Sequence, residues 1–168
     1  RDPAAMVSGH LLDSLSVVPH LPAGSLLDLG CGAGFPGLPI AIVDPERPVT
    51  LLDSNQKKTR FVQHAIAQLG LKNSQVVHQR VQHYLPQPRF DTVICRAYSA
   101  LSDFVEQADS LLQPNGTLIA MKGQHPTAEL ASLPTGWQVT ACEPVAVPDL
   151  NQPRHLLLLQ RDQAITRP

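Results

Sequence analysis

Short apolar runs alternate with stretches of helical character along most of this chain. Five runs have the length and aliphatic content of buried β-strands: residues 25–29, 49–53, 74–78, 90–95 and 117–121. Four stretches between or after them have helical spacing or helix-end signals: 37–43, 55–69, 101–112 and about 126–132. Apolar residues at helical spacing in 5–19 predict one more helix before the first strand.

The C-terminal part departs from this alternation. Residues 137–147 and 154–160 read as two strands with no helix between them, which predicts an antiparallel pair at the end of the sheet. The pattern therefore predicts an α/β fold, with a mostly parallel seven-stranded sheet and a C-terminal β-hairpin. At 168 residues we expect a single domain, 1–168.

Local signals place several helix ends. In 55–69 the residues Phe61, Val62, Ala65, Ile66 and Leu69 are expected to face inward, with Gly70 ending the helix. The tripeptide 114–116, Pro-Asn-Gly, predicts a turn that closes helix 101–112 before the fifth strand.

The composition argues against several classes of protein. No apolar run approaches the roughly 18 residues of a membrane span, and no signal peptide is recognised. Three cysteines, far apart, suggest neither a disulfide framework nor a zinc site, and the histidines show no metal spacing, so we expect no metal and a reducing, cytoplasmic setting. The net charge of −1 does not favour nucleic-acid binding, so such a partner would need a local basic patch.

The most informative segment follows the first predicted strand. Gly30, Gly32, Gly34 and Gly37 alternate with small residues, and such a turn before a helix presents free N–H groups to a nucleotide-like ligand. Asp53 ends the second predicted strand, where this class of fold places a carboxylate on ribose hydroxyls. Together these features predict a nucleoside-cofactor site.

Two cofactors remain possible from the loop alone. Gly32-x-Gly34-x-x-Gly37 matches the dinucleotide fingerprint, whereas Gly30-x-Gly32-x-Gly34 matches the turn of S-adenosylmethionine-dependent methyltransferases. Asp28 favours the second, because an acidic residue in an apolar strand is costly unless it binds something. In methyltransferases this position helps to hold the loop and the cationic methionine end of the cofactor.

Several segments together resemble one family. His10–Leu15, Asp28–Pro39 and Leu51–Ser54 are similar to the recurring segments of the bacterial 16S ribosomal RNA guanine-N7 methyltransferases, RsmG or GidB. Further matches are Arg80-Val81, Cys95-Arg96-Ala97, Met121-Lys122-Gly123 and Arg154-His155-Leu156. The resemblance covers nearly the whole chain and implies a Rossmann-like class I methyltransferase fold. Members usually carry further N-terminal helical sequence, which we expect this chain to lack.

The resemblance also implies roles for individual residues. The expected S-adenosylmethionine site comprises Asp28, Gly30, Gly32, Gly34, Phe35, Asp53, Val81, Gln82 and Arg96. Members often carry an acidic residue where this chain has Gln82. The expected contact of Gln82 with the adenine of the cofactor is therefore through its backbone. Phe35 either contacts the cofactor or packs between loop and helix. Arg80, Lys122 and Arg154 are the expected RNA contacts.

Two side-chain groups have less specific interpretations. Lys57, Lys58 and Arg60 either bind RNA phosphates or form a solvated helix face. His10 and Asp13 lie three residues apart on one helical face, and we expect them to brace the glycine loop.

The implied acceptor is guanine N7 in 16S ribosomal RNA, either naked or in the small subunit, and we expect a monomer. N7 has a free lone pair, so no general base is required and Arg96 and Lys122 would act by positioning. Two alternatives stay open: a Rossmann methyltransferase of another substrate, and a non-catalytic nucleotide- or RNA-binding module.

Overall fold

One seven-stranded sheet organises the molecule. The computed structural model describes residues 7–98 and 100–162. The strands lie in the order β3-β2-β1-β4-β5-β7-β6, with β1 to β5 parallel and β7 antiparallel to both β5 and β6. Their bounds are β1 Leu26–Leu29, β2 Val49–Asp53, β3 Ser74–His78, β4 Phe90–Arg96, β5 Leu112–Lys122, β6 Trp137–Pro144 and β7 His155–Arg161. The predicted mostly parallel sheet with an antiparallel C-terminal hairpin is confirmed.

Helices follow four of the strands, β1, β2, β4 and β5. They are α1 Gly37–Val43, α2 Gln56–Leu69, α3 Leu101–Ala108 and α4 Thr127–Leu130. Short 3₁₀ turns occupy Val18–His20, Val81–His83 and Asp109–Leu111. Of the helices in the two described ranges, none is long and apolar enough to cross a lipid bilayer.

The core lies on both faces of the sheet, which is why the central strands contain almost only aliphatic residues. All four residues of β1 are buried, including Asp28. Leu27, Leu29 and Phe104 belong to the core of one face, and Leu26 and Ile40 belong to the core of the other. Such two-sided burial requires continuous apolar runs instead of alternation. The carboxyl ends of β1, β2, β4 and β5 therefore meet at one edge of a rigid sheet.

Helix α2 has nearly the predicted span, but two of the side chains predicted to face inward are exposed. Asn55 caps it by accepting hydrogen bonds from the Lys57 and Lys58 amides, and Gly70 ends it in a left-handed conformation. Val62 and Ile66 are buried as expected. The inward assignment of Phe61 and Leu69 is wrong, since these side chains are 56% and 55% exposed.

Two predicted boundaries also differ. The N-terminal helical segment is a π-helical turn, Val7–Leu12, followed by an α-helical turn, Asp13–Leu15, instead of one helix over 5–19; residues 5 and 6 lie outside the described ranges. The predicted turn at 114–116 lies within β5, where the pairing with β4 jumps from Phe90↔Leu112 to Thr92↔Thr117. The extra residues form a bulge in β5, so this strand begins five residues earlier than expected and α3 is shorter.

Candidate active site at the carboxyl edge of the sheet

Two cavities open side by side at the carboxyl edge of the sheet. The first, of about 270 Å³, is lined by Gly30, Asp53, Arg80, Val81, Gln82 and Tyr98, among others. The second, of about 310 Å³, is lined by His10, Asp13, Arg96, Ala97, Lys122 and Arg154, among others. Ligands of open α/β sheets bind at this edge, on either side of the point where the strand order reverses. Here that point lies between β1 and β4.

Asp53 holds the glycine loop and the start of α2. Its Oδ2 accepts a hydrogen bond from the Gly32 N–H at 2.9 Å, and its Oδ1 accepts one from the Asn55 N–H at 2.8 Å. A carboxylate has about four acceptor positions, so both oxygens keep capacity for further donors. Because Asp53 lines the first cavity, that capacity is available to hydroxyl groups of a ligand.

Asp28 lies behind the loop instead of in the cavity. Its Oδ2 accepts a hydrogen bond from the Gly37 N–H at 2.8 Å, whereas its Oδ1 is buried without a partner. Burial raises the pKa of Asp28 to about 7, against the lowering effects of the Gly37 bond and the Arg96 charge. A Cβ on Gly37 would lie 2.8 Å from Asp28 Oδ2, so this close approach requires glycine.

The residues of the first cavity fit S-adenosylmethionine. Asp53 is placed to accept from ribose hydroxyls, and Val81 and Gln82 line the same cavity after β3, where an adenine would lie. The unpartnered Asp28 Oδ1 is a buried polar atom beneath the loop, and a cationic ligand above it would favour the ionised form of this carboxyl group. Gly30, Gly32 and Gly34 all adopt positive φ, so this loop has the sharp backbone turn that its sequence predicts.

Replacing Asp53 by alanine is expected to weaken S-adenosylmethionine binding by about 1–3 kcal/mol, the cost of unpaired hydroxyls in a partly buried site. Titration calorimetry measures this directly. Ser54→Ala is the matched control, because Ser54 lines the same cavity next to Asp53. Equal affinities for both variants and the unmodified protein would contradict this role of Asp53.

One carboxylate organises the second cavity. Asp13 Oδ1 accepts from Arg154 Nε at 2.9 Å, and Asp13 Oδ2 lies 3.5 Å from Arg96 Nη1. The Asp13 side chain is 5% exposed, so its carboxylate interacts mainly with the two guanidinium groups and little with solvent. The sequence predicts that His10 and Asp13 brace the glycine loop. In the structure the Asp13 side chain instead holds Arg96 and Arg154.

Phe35 connects this cavity to the glycine loop. Its ring stacks with that of His10, with centroids 5.4 Å apart, and the Arg96 guanidinium carbon lies 5.3 Å from the ring centroid. These contacts favour the packing interpretation of Phe35. Arg96, which the resemblance places at the cofactor, lines the second cavity.

Lys122 is held by an acidic partner. Its Nζ lies 2.8 Å from Glu129 Oε2, which also accepts from the Leu101 N–H at 2.7 Å, at the start of α3. The Lys122 side chain is 11% exposed, yet it lines the second cavity. An ammonium has three donors, so Lys122 keeps donors for a ligand there.

Sequence reasoning missed the residues that separate the cavities. Ala97 has φ 58°, a left-handed conformation that costs an alanine about 1–2 kcal/mol. This turn directs Arg96 into the second cavity and Tyr98 into the first, where the Tyr98 hydroxyl donates to Gln107 Oε1 at 2.7 Å. No residue-type signal marks an alanine for this conformation, which usually favours glycine or asparagine.

The remaining basic residues that the sequence singled out are exposed. Lys57, Lys58 and Arg60 are exposed on α2, and Arg80 is exposed at the rim of the first cavity.

Within 7–98 and 100–162, no three His, Cys, Asp or Glu side chains are grouped to hold a metal ion. Burial and the charges of Asp28 and Asp53 raise the pKa of the Cys31 thiol, so this loop cysteine is a poor nucleophile.

Structural comparison finds the same fold in solved proteins. TrmN from Thermus thermophilus superimposes with a TM-score of 0.71 at 21% identity, covering 89% of this chain and 48% of that one. A SAM-dependent methyltransferase from Aquifex aeolicus gives a TM-score of 0.69 at 20% identity, covering 94% and 93%. At these identities the likeness shows the shared fold.

Sequence comparison is more specific. The family model for rRNA small subunit methyltransferase G, GidB, matches residues 1–157. The proteins named ribosomal RNA small subunit methyltransferase G from Pseudomonas paraeruginosa and Marinobacter nauticus are 51% and 47% identical to this chain. Each match covers 96% of this chain, and 76% and 75% of the respective relative. The chain therefore belongs to the rRNA small subunit methyltransferase G family.

Proposed function

We propose that this protein transfers the methyl group of S-adenosylmethionine to N7 of a guanine in 16S ribosomal RNA. The carrying observation is the pair of cavities that meet at residues 96–98. One contains the carboxylate expected for a ribose, and the other contains three cations, Arg96, Lys122 and Arg154, expected for a nucleic-acid group. Membership of a family of small-subunit rRNA methyltransferases supports the same assignment.

The chemistry of the second cavity favours an acceptor that needs no deprotonation. Both oxygens of Asp13 face guanidinium groups, and His10 Nδ1 lies 3.4 Å from Arg96 Nη2. The carboxylate is therefore engaged as the ion-pair partner of both arginines, and its two oxygens face these groups in the cavity. Guanine N7 already presents a lone pair at the base edge, so this cavity needs only to orient it.

The protein's own contribution is positioning. When bound, S-adenosylmethionine supplies an electrophilic methyl group on a cationic sulfur. Asp53 orients the ribose, Arg96 and Arg154 are fixed by Asp13, and Lys122 is fixed by Glu129. Donors on these cations can bind guanine O6 or the adjoining phosphates while N7 stays free. Preorganised orientation of this kind contributes a large part of the rate in two-substrate reactions.

The pH dependence of the reaction tests the acceptor. With enzyme saturated by a 16S rRNA transcript and by S-adenosylmethionine, the single-turnover rate is expected to be nearly flat from about pH 6.5 to 8.5, whereas a titrating base gives up to about tenfold per pH unit. Mapping of 7-methylguanine in the product identifies the atom. His10→Phe is the control, since it keeps the ring against Phe35 and removes the imidazole.

Other outcomes distinguish the alternatives. A steep profile that His10→Phe flattens would indicate a base and an amine, carbon or hydroxyl acceptor. Binding of S-adenosylmethionine without methylation of any rRNA would favour a non-catalytic binding module.

The proposal includes the setting of the enzyme. We infer a single methyltransferase domain over 1–168 that acts as a monomer in the cytoplasm on 16S rRNA or the small subunit. A single sheet through the described ranges supports one domain. Three free cysteines, Cys31, Cys95 and Cys142, suit a reducing compartment.

A further inference from the structure

The charges of this chain are unevenly distributed. Residues 54–90 contain six of the 13 lysines and arginines and none of the 14 aspartates and glutamates. This segment therefore carries a formal charge of +6, and the rest of the chain carries −7. The net charge of −1 conceals a strongly basic segment.

All six cations of this segment are exposed: Lys57, Lys58, Arg60, Lys72, Arg80 and Arg89. None of them forms an ion pair with any residue that the structure describes. The cations described elsewhere behave in the opposite way, since each has an acidic partner: Arg47, Arg96, Lys122, Arg154 and Arg161. An array of unpaired, exposed cations is the electrostatic pattern of a surface that binds a polyanion.

The fold places α2 and the start of the connection after β3 at one end of the sheet, beside the first cavity. β3 is the edge strand, and α2 begins three residues after Asp53. Arg80 lines the first cavity. The charge of Lys58 acts on the glycine loop, where it opposes the rise in the pKa of Cys31. Arg80 therefore lies at the rim of the cofactor cavity, and Lys57, Lys58 and Arg60 lie on the first part of α2. Lys72 precedes β3 and Arg89 precedes β4, so these two cations lie at the opposite, amino edge of the sheet.

We infer that this basic edge, defined by Lys57, Lys58, Arg60 and Arg80, binds the phosphate backbone of the ribosomal RNA that flanks the target guanine. The inference rests on the proposed function and adds a second contact region to it. Each neutralised phosphate releases counterions, so a row of separate cations contributes to affinity without reading sequence.

The extent of the basic edge favours a polymer over a small anion. α2 has 14 residues and is about 21 Å long, and its cations project into solvent instead of converging on one pocket. Phe61 lies among them, 56% exposed and four residues after Lys57. An exposed aromatic ring beside cations can stack on an unpaired base of a nucleic acid. An acidic protein, the other polyanion that could bind cations, has no such bases.

The test neutralises the α2 cations together. The triple variant Lys57→Gln, Lys58→Gln, Arg60→Gln is expected to bind a 16S rRNA transcript about 10- to 100-fold more weakly near physiological salt. Its log–log salt slope is expected to fall by about 2–3 in magnitude, roughly one for each lost phosphate contact. The KM for RNA should rise while the affinity for S-adenosylmethionine, measured by calorimetry, stays unchanged.

Matched variants separate charge from helix integrity. Lys57→Arg, Lys58→Arg, Arg60→Lys keeps the charge and should keep the salt slope. Gln63→Ala, Gln68→Ala alters the exposed face of the same helix without charge and should bind RNA normally. Retained affinity for S-adenosylmethionine shows that each variant is folded.

The outcomes for the two proposals differ. Unchanged RNA affinity and salt slope in the triple neutral variant would overturn the basic edge, even if the enzyme methylates rRNA. Unmodified protein that binds rRNA through this edge but never methylates it would overturn the proposed function alone. Unmodified protein that does not bind rRNA would overturn the inference as well.

Discussion

Replacing Gly34 by alanine is expected to remove detectable S-adenosylmethionine binding and to destabilise the protein by about 2–5 kcal/mol. Gly34 has φ 92°, which an alanine adopts only at a cost of about 1–2 kcal/mol. A Cβ there would also collide with the Leu38 side chain, whose Cγ lies 2.7 Å away. Leu38 is a buried residue of α1, so relief requires movement of the loop, at a further cost of about 1–3 kcal/mol.

Gly70 provides the matched control. It also has positive φ, at 63°, but a Cβ there would meet no atom within 4 Å. Gly70→Ala should therefore show only the conformational cost of about 1–2 kcal/mol and bind cofactor normally. Urea unfolding and titration calorimetry on both variants separate the two effects. Equal losses of stability, with binding retained in Gly34→Ala, would show that the loop adjusts to a side chain.

The difference in stability between Asp28→Asn and the unmodified protein is expected to change by about 3 kcal/mol between pH 4 and pH 7. Burial raises the folded-state pKa of Asp28 to about 7 from 3.8, so the folded state keeps a proton that the unfolded chain loses. The unmodified protein therefore loses stability, at about 1.4 kcal/mol per pH unit, as pH rises through this window. Asparagine does not titrate, so the variant gains relative stability with the same slope.

Unfolding free energies at several pH values measure this slope. Asparagine can still accept from the Gly37 N–H, but it places a buried amide where Oδ1 has no partner, which adds a cost independent of pH. The slope is therefore more informative than the absolute difference. It should persist in high salt, because desolvation by burial is not screened. A difference that stays constant from pH 4 to pH 8 would contradict the role of burial.

The fold was predictable because its signals are local and repeated. The apolar runs of β1 and β2, the glycine loop and Asp53 follow one another within 30 residues, and short-range order fixes their arrangement. The errors on α2 have a physical cause. Phe61 lies about 100° around the helix from Val62, away from the stripe that faces the sheet, whereas Leu69 has nearly the same angle as Val62 but is the last residue of α2. Apolar character alone does not reveal which stripe finds a partner.

The second cavity was less accessible to sequence reasoning. Asp13 lies 83 residues from Arg96 and 141 residues from Arg154, so their ion pairs depend on the complete strand order. Each residue is unremarkable in its own segment, and the resemblance marked them singly without indicating that they share a carboxylate. The left-handed Ala97 has no sequence signal either, because its conformation is imposed by the elements around it.

The shared carboxylate of Asp13 has a consequence for the order in which the site is completed during synthesis. The residues of the first cavity span 29–107, whereas the second cavity needs Arg154 from the segment before β7. A nascent chain therefore contains every group of the cofactor cavity well before the guanidinium that completes the acceptor cavity. The acceptor cavity is therefore completed after the cofactor cavity, and a chain that stops before Arg154 leaves Asp13 with only one of its two arginines.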